Sequence, residues 1–205
     1  NEHPTQALLD LYTIKKELEA NHKTIQGLRI ALVGDLKFGR AVHSLSKVLC
    51  LYKDVTINLI SPRKLRLPDS YLRLLTESGV NINEFENIEE GIVEVDIIYM
   101  TRIQEERFKN QSNSKKYKGL LRLNEKIYTA NCEPNTVIMH PLPRDSRQGA
   151  NELDSDLYKN PNLAIFRQAD NGIVIRMALF ALVLGVVEQI GKTSREVNWH
   201  TSKRH

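Results

Sequence analysis

The segment LRIALVGDLKFGRAVHSL, residues 28–45, constrains the fold more than any other stretch. Residues 28–33 form a short, mostly aliphatic run of strand length. Gly34-Asp35 stops it, and after Gly39 the apolar residues Val42, Leu45, Val48 and Leu49 recur on one helical face. A buried strand, a glycine turn and a helix make the first half of a βαβ unit. Open α/β sheets bind ligands beyond the carboxyl ends of their strands. Arg40 stands there, beside the first peptide groups of the helix, where a fixed positive charge and free N–H groups together suit an anion. The plain alternative is a surface arginine at a helix start. Four residues separate Gly34 from Gly39, so the spacing is not G-x-G-x-x-G, and no Lys-Ser or Lys-Thr follows Gly39 as in a P-loop. The loop suits an anion without naming a nucleotide.

The same alternation continues along the chain. Pro4 opens a helix over 4–19, with Ala7, Leu8, Leu11, Ile14 and Leu18 as its apolar stripe. Further strands are expected at 55–60, 80–85, 96–101 and 137–140. Helices are expected at 68–78, 88–94, 124–130 and, briefly, 154–158. Residues 110–116 are the most loop-like part, and 163–166 reads as a brief extended segment. Asn171 is placed to cap a last long helix ending near Gly191. Strands alternate with helices five times, which predicts an α/β fold: a doubly wound, mostly parallel five-stranded sheet with helices on both faces, a Rossmann-like three-layer arrangement. Residues 1–191 form one domain in this scheme, and 192–205 a polar tail.

Composition narrows the partners. The 205 residues carry 26% charged side chains and a net charge of +4. Both signs are interspersed with no block of five like charges, which argues against a nucleic-acid surface but allows a weakly basic cleft. Two cysteines are too few for a disulfide framework; Cys50 falls in the apolar phase of its helix as a buried free thiol, and the expected compartment is the cytoplasm. Asn1-Glu2-His3-Pro4 leads into an amphipathic helix, not a signal peptide. The apolar run 177–187 is far short of the roughly 18 residues of a membrane span, so it reads as a buried helix. Six histidines are scattered without a cysteine or carboxylate at ligand spacing, so no metal site is expected.

The strand ends carry the chemistry. After the first strand come Gly34, Asp35 and Arg40; after the fourth, Thr101, Arg102 and Gln104; after the fifth, His140, Pro141, Leu142, Pro143 and Arg144. Two arginine forks and a carboxamide on one sheet edge suit a small dianion with separated carboxylates. The alternative for Arg102 is an ion pair with Glu105 or Glu106. Pro141 and Pro143 stiffen their turn, remove two backbone donors and leave carbonyls to accept from a ligand N–H. The commoner reason for such a cluster is a loop stop. At the amino end, His3 can donate to a carbonyl oxygen and Gln6 can accept from an amide; a cap is the simpler role for His3.

NEHPTQALLDLYTI, VGDLKFGRAVHSL, VDIIYMTRIQEER, HPLPR and FRQADNGIVIRMALFALVLG, in this order, closely resemble the carboxyl-terminal, aspartate-binding half of the aspartate carbamoyltransferase family. The similarity runs from about residue 1 to 187. In the related ornithine enzymes the strand-four motif is a Trp-containing acidic one, and a cysteine usually replaces the first proline of HPLPR. The stretch Met100-Thr101-Arg102-Ile103-Gln104 therefore favours aspartate.

The resemblance implies a reaction and a set of roles. The carbamoyl group of carbamoyl phosphate passes to the amine of L-aspartate, a step of pyrimidine biosynthesis, without metal, cofactor or covalent enzyme intermediate. His3 and Gln6 would contact the carbonyl oxygen and amide of carbamoyl phosphate, with His3 the donor to the developing oxyanion. Backbone groups of Pro141, Leu142 and Pro143 would accept from its NH2 and from the incoming amine. Arg40 and Arg102 would hold the two carboxylates of aspartate, assisted by Gln104. The resemblance also implies a homo-oligomer, a trimer. Two features depart from the family: the phosphate-binding half with its Ser-Thr-Arg-Thr loop is missing, so a partner half is expected, and residues 145–150 lengthen the loop after HPLPR. The competing expectations are a carbamoyltransferase for another amino acid and a non-catalytic anion-binding α/β module.

Overall fold

The computed structural model describes every residue except 1, 109–114, 118, 146, 148 and 194–205. Residues 194–205 of the expected polar tail and most of the loop-like stretch 110–116 therefore lie outside the described residues, while 192 and 193 end the last helix. Five strands, β1 (Arg29–Val33), β2 (Thr56–Ile60), β3 (Asn81–Phe85), β4 (Ile97–Met100) and β5 (Val137–Met139), form one sheet in the order β3-β2-β1-β4-β5. Every pairing is parallel. A parallel sheet is covered on both faces, which is why its central strands read as unbroken apolar runs. Alternation along β1 sends Ile30 and Leu32 into one core and Ala31 and Val33 into the other. The first core is closed by α1 (Pro4–Ala20), α2 (Arg40–Leu49) and α3 (Asp69–Glu77). The second is closed by α4 (Ile88–Gly91) and α5 (Glu125–Asn131).

The chain lays β1, β2 and β3 outward in one direction, then crosses back to set β4 on the free side of β1. The carboxyl ends of β1 and β4 therefore flank the crevice where an open sheet binds its ligand. Their loops nearly touch. A Cβ added to Gly34 would sit 2.2 Å from the Thr101 carbonyl oxygen, and Gly34 has φ +118°, so the position requires glycine on two counts.

The long helix α6 (Ile165–Val183) lies beside α1, and α7 (Val187–Thr193) follows it. Polar pairs fix the α1–α6 seam: Arg167 forks onto Glu17 at 2.7 and 3.1 Å, and Asn171 Nδ2 donates to Thr13 Oγ1 at 2.9 Å. These pairs correct the expected stripe of α1. Asp10, Thr13 and Glu17 are buried along with Ala7, Leu9, Ile14 and Leu18, whereas Leu8 is 39% exposed.

Three other expectations change. The extended segment at 163–166 ends at Ala164: Ala164 N donates to the Ile138 carbonyl, while the Ala164 carbonyl already receives Gln168 N and starts α6. Asn171 accordingly lies inside α6 and caps nothing. The last helix does not run unbroken to Gly191. Gly185, at φ +68°, turns the chain left-handed, with Gly185 N on the Leu182 carbonyl and Val186 N on that of Ala181, which is a Schellman stop. Helix 88–94 also proves to be a single turn, Ile88–Gly91, and the chain turns left-handed at Glu94, φ +55°.

Asp10 links the layers. Fully buried on α1, it accepts from Tyr99 Oη of β4 at 2.6 Å, from Gln168 Nε2 of α6 at 2.7 Å and from Gln6 Nε2 at 2.9 Å. Burial outweighs these donors and pushes its carboxyl up to about 6. The raised value means that its favourable contribution is complete below pH 4 and lost as pH rises through 6. Asp10→Asn should therefore gain on the parent protein, by roughly 1–3 kcal/mol of unfolding free energy, between pH 4.5 and 7.5. Urea unfolding at both pH values checks this, and a gap that does not change with pH contradicts it. Gly34→Ala should cost more than about 2 kcal/mol, from the forbidden φ and the contact with Thr101 together; an unchanged thermal midpoint would contradict it.

Candidate active site

All eight residues singled out by sequence, His3, Gln6, Arg40, Arg102, Gln104, Pro141, Leu142 and Pro143, line one cavity of about 270 Å³. It lies at the carboxyl ends of β1, β4 and β5, roofed on one side by the start of α1. Each loop is held from behind by a buried polar group; the sequence places Asp35, Thr101 and His140 at strand ends without giving them a role, and it does not single out Glu152.

Asp35, fully buried after β1, accepts from Phe38 N at 3.0 Å and from Gln104 N at 3.1 Å. It ties the Arg40 loop to the Arg102–Gln104 loop. Burial raises its carboxyl above the ordinary value, with the backbone N–H groups of Phe38 and Gln104 pulling the other way. Thr101 Oγ1 donates back to the Val33 carbonyl at 2.8 Å and closes the same seam.

His140, at the end of β5, sets the proline turn. Its Nδ1 accepts from Leu142 N at 2.9 Å, which makes Nε2 the protonated nitrogen, and Nε2 donates to the buried Glu152 at 2.7 Å. Glu152 also accepts from Asp145 N, so the lengthened loop 145–150 starts from an anchored point. Leu142 takes φ +48° and its bond to Pro143 is cis. The Leu142 N–H is thus consumed inside the turn, and Pro141 and Pro143 have none, so the turn presents acceptors to the cavity. Arg144 leaves this site: its guanidinium stacks over the Tyr158 ring, 5.0 Å from the centroid.

Arg40, the first residue of α2, is exposed at the cavity rim. Arg102 is forked onto Glu106, with Nη1 3.1 Å from Oε2 and Nη2 2.5 Å from Oε1. The pairing weighed against a ligand role is therefore present, and through it Glu106 is held below the usual carboxylate range. The pair is only partly covered, so a dianion approaching Arg102 meets a guanidinium aligned in the plane that suits a carboxylate. His3 occupies the N-cap position of α1 without capping it: no side-chain cap bond forms, and its backbone N donates instead to Ser44 Oγ at 2.8 Å. Its imidazole lines the cavity. Among the described residues no cluster of three or more His, Cys, Asp or Glu could hold a metal ion, and no helix is long and apolar enough to cross a membrane.

Comparison with known proteins matches this arrangement to a family. The sequence model for the aspartate/ornithine carbamoyltransferase Asp/Orn-binding domain matches residues 26–183. The aspartate carbamoyltransferase catalytic subunit of Cellvibrio japonicus is 58% identical over 204 residues, covering 100% of this chain and 60% of its own length. The multifunctional protein CAD of Squalus acanthias is 45% identical over 90% of this chain, which spans 8% of it. Among solved structures, the M. jannaschii aspartate transcarbamoylase catalytic subunit superposes with a TM-score of 0.77 at 36% identity, over 95% of this chain and 58% of its own. Aspartate transcarbamoylase from Trypanosoma cruzi, in complex with aspartate and phosphate, gives 0.74 at 34% identity, over 88% and 53%. The chain thus spans about 60% of the length of the bacterial catalytic subunit it matches. With the fold, the sheet-edge cavity and these matches together, the chain belongs to the aspartate/ornithine carbamoyltransferase family.

Proposed function

We propose that this chain supplies the aspartate-binding half of a cytoplasmic aspartate carbamoyltransferase, which transfers the carbamoyl group of carbamoyl phosphate to L-aspartate. The observation that carries this is the convergence on one cavity of two arginines, the His3–Gln6 pair and a turn that offers only acceptors. Arg40 and Arg102 receive the two carboxylates of aspartate, with Gln104 beside them. His3 donates to the carbonyl oxygen of carbamoyl phosphate, Gln6 accepts from its NH2, and carbonyls of the 141–143 turn accept from the NH2 and the attacking amine. A C–N bond forms at the carbamoyl carbon, the oxyanion of the tetrahedral intermediate faces His3, and the C–O bond to phosphate then breaks. The amine gives up one proton to the departing phosphate, and inorganic phosphate leaves. Such a step gains its rate from positioning and from stabilising the oxyanion.

The phosphate requires cations beyond this chain's site residues, and we assign them to a second, phosphate-binding domain. The assembled enzyme is proposed to be a homo-oligomer, a trimer on the family resemblance. The exposed apolar surface of the last two helices supports a second body. Met177 is 60% exposed and Phe180 68%, and Leu182, Val183, Leu184, Val187 and Ile190 are exposed with them. Contiguous apolar surface of this kind marks an interaction site.

In the complete enzyme, Arg102→Ala should lower kcat/KM for aspartate roughly 30- to 1000-fold, the loss of one charge-assisted fork; unaltered aspartate kinetics would remove Arg102 from the site. The chain by itself should make no carbamoyl-aspartate and should self-associate or bind a hydrophobic reporter dye, and a phosphate-binding half added in cis or in trans should reverse both. A monodisperse, dye-negative monomer would contradict the two-body assignment.

A further inference from the structure

One step behind the cavity wall stands a carboxylate that the proposed reaction does not use. Asp10 is wholly buried, and no cation pairs with it among the described residues. Its partners are neutral donors: the amides of Gln6 and Gln168 share Oδ1 at 2.9 and 2.7 Å, and Tyr99 Oη meets Oδ2 at 2.6 Å. Burying an ionised carboxylate without a counter-ion is costly, and here only neutral donors offset that cost. The carboxylate does something that an apolar residue cannot.

That difference is polarity. A side-chain amide has an oxygen end and an NH2 end of nearly equal size, and only its partners decide which way it faces. An ionised carboxylate accepts and never donates, so both amides must turn their NH2 groups to Asp10. Gln6 is then left with its oxygen as the end free for a ligand, on the side that lines the cavity with His3 and Arg40. Gln168 is left with its oxygen for His140, and it does accept from His140 N at 2.8 Å, at the base of the proline turn. One buried oxygen thus sets the direction of two glutamines that reach two separate walls of the site.

We propose that Asp10 is a positioning residue of the active site, fixing the Gln6 amide with its oxygen toward the carbamoyl NH2. This rests on the proposed contact between Gln6 and carbamoyl phosphate. Without the carboxylate, Gln6 can present its NH2 group to the NH2 of the substrate, donor against donor. Asparagine at position 10 keeps the shape but offers one acceptor oxygen to three donors, so at least one of them must turn.

The test is a double-mutant cycle in the full-length catalytic chain that carries this segment, measured as kcat/KM for carbamoyl phosphate at saturating aspartate. Gln6→Ala and Asp10→Asn should each lower it about 10- to 100-fold, and the double variant should lie within about threefold of Gln6→Ala alone. A residue that only braces the fold would give multiplying effects, and that result overturns the proposal. If Gln6→Ala alone leaves kcat/KM unchanged, the ligand contact of Gln6 is wrong and the proposal falls with it. Should Asp10→Asn fail to fold, side-chain amide NMR of the parent protein decides. The Gln6 NH2 signal, identified by its disappearance in Gln6→Ala, should show slow solvent exchange and two distinct protons; exchange at the rate of an exposed glutamine overturns the proposal.

Discussion

The contact between the loops leaving β1 and β4 governs this structure. The two strands lie side by side, yet the chain departs from them in opposite directions across the sheet. Gly34 lets the loops come within van der Waals reach, Thr101 Oγ1 bonds across to Val33, and Asp35 reaches from the first loop to Gln104 N of the second. A side chain at position 34 would force them apart. The distance between Arg40 and the Arg102–Gln104 segment, and hence the span of any dianion held between them, is set by this backbone contact rather than by the arginines themselves.

Three buried carboxylates stand behind the cavity, and among the described residues none accepts a hydrogen bond from a guanidinium or ammonium. Asp10 is held by two amides and a phenol, Asp35 by backbone N–H groups, and Glu152 by His140 and Asp145 N. Each is satisfied by neutral or weakly acidic donors: Asp35 and Glu152 collect theirs from the loops of the site and order those loops, while Asp10 collects its donors from α1, β4 and α6 and orders their junction. The arginines remain at the rim. Arg102 is the partial exception, since Glu106 neutralises it from the same loop. An acidic residue four positions on fixes the guanidinium plane at the cost of part of its charge, and the exposure of the pair lets a stronger dianion compete for it.

The order of elements was legible because the periods were clean. The run 28–33 could only be a covered strand, and the spacing of Val42, Leu45 and Leu49 could only be a helix with one buried face. The eight cavity residues were legible because each is a chemically distinctive group just beyond a strand end or at a helix start. What failed along the α1–α6 seam has one cause: buried polar residues. Thr13 and Glu17 look like solvent-facing interruptions until Asn171 and Arg167, 158 and 150 residues away, are found opposite them. The expected stripe of α1 therefore turned Leu8 inward, while the real one turns Asp10 inward. Asn171 was a plausible cap for the same reason, its true partner being distant in sequence. Asp10 itself carried a signal, standing four residues after Gln6 and thus on the same helical face, but a carboxylate among apolar neighbours reads as surface until its donors are known.

The helix α6 changes character along its length. Its first half is tied to α1 by Arg167, Gln168 and Asn171, each bonded to a buried residue of that helix. From Ile173 onward its exposed large side chains are apolar, with Arg176 the one charge among them. Among the described residues no layer of this domain covers the second half, which fits the second body proposed above. Gln168 and Gln6 lie on the two helices, α6 and α1, whose seam carries Asp10. In the proposed enzyme a phosphate-binding domain docked on the far half of α6 bears on the same rigid seam that aims Gln6. The surface that completes the enzyme and the network that orients its carbamoyl contact are then mechanically continuous, with α6 as the shared member.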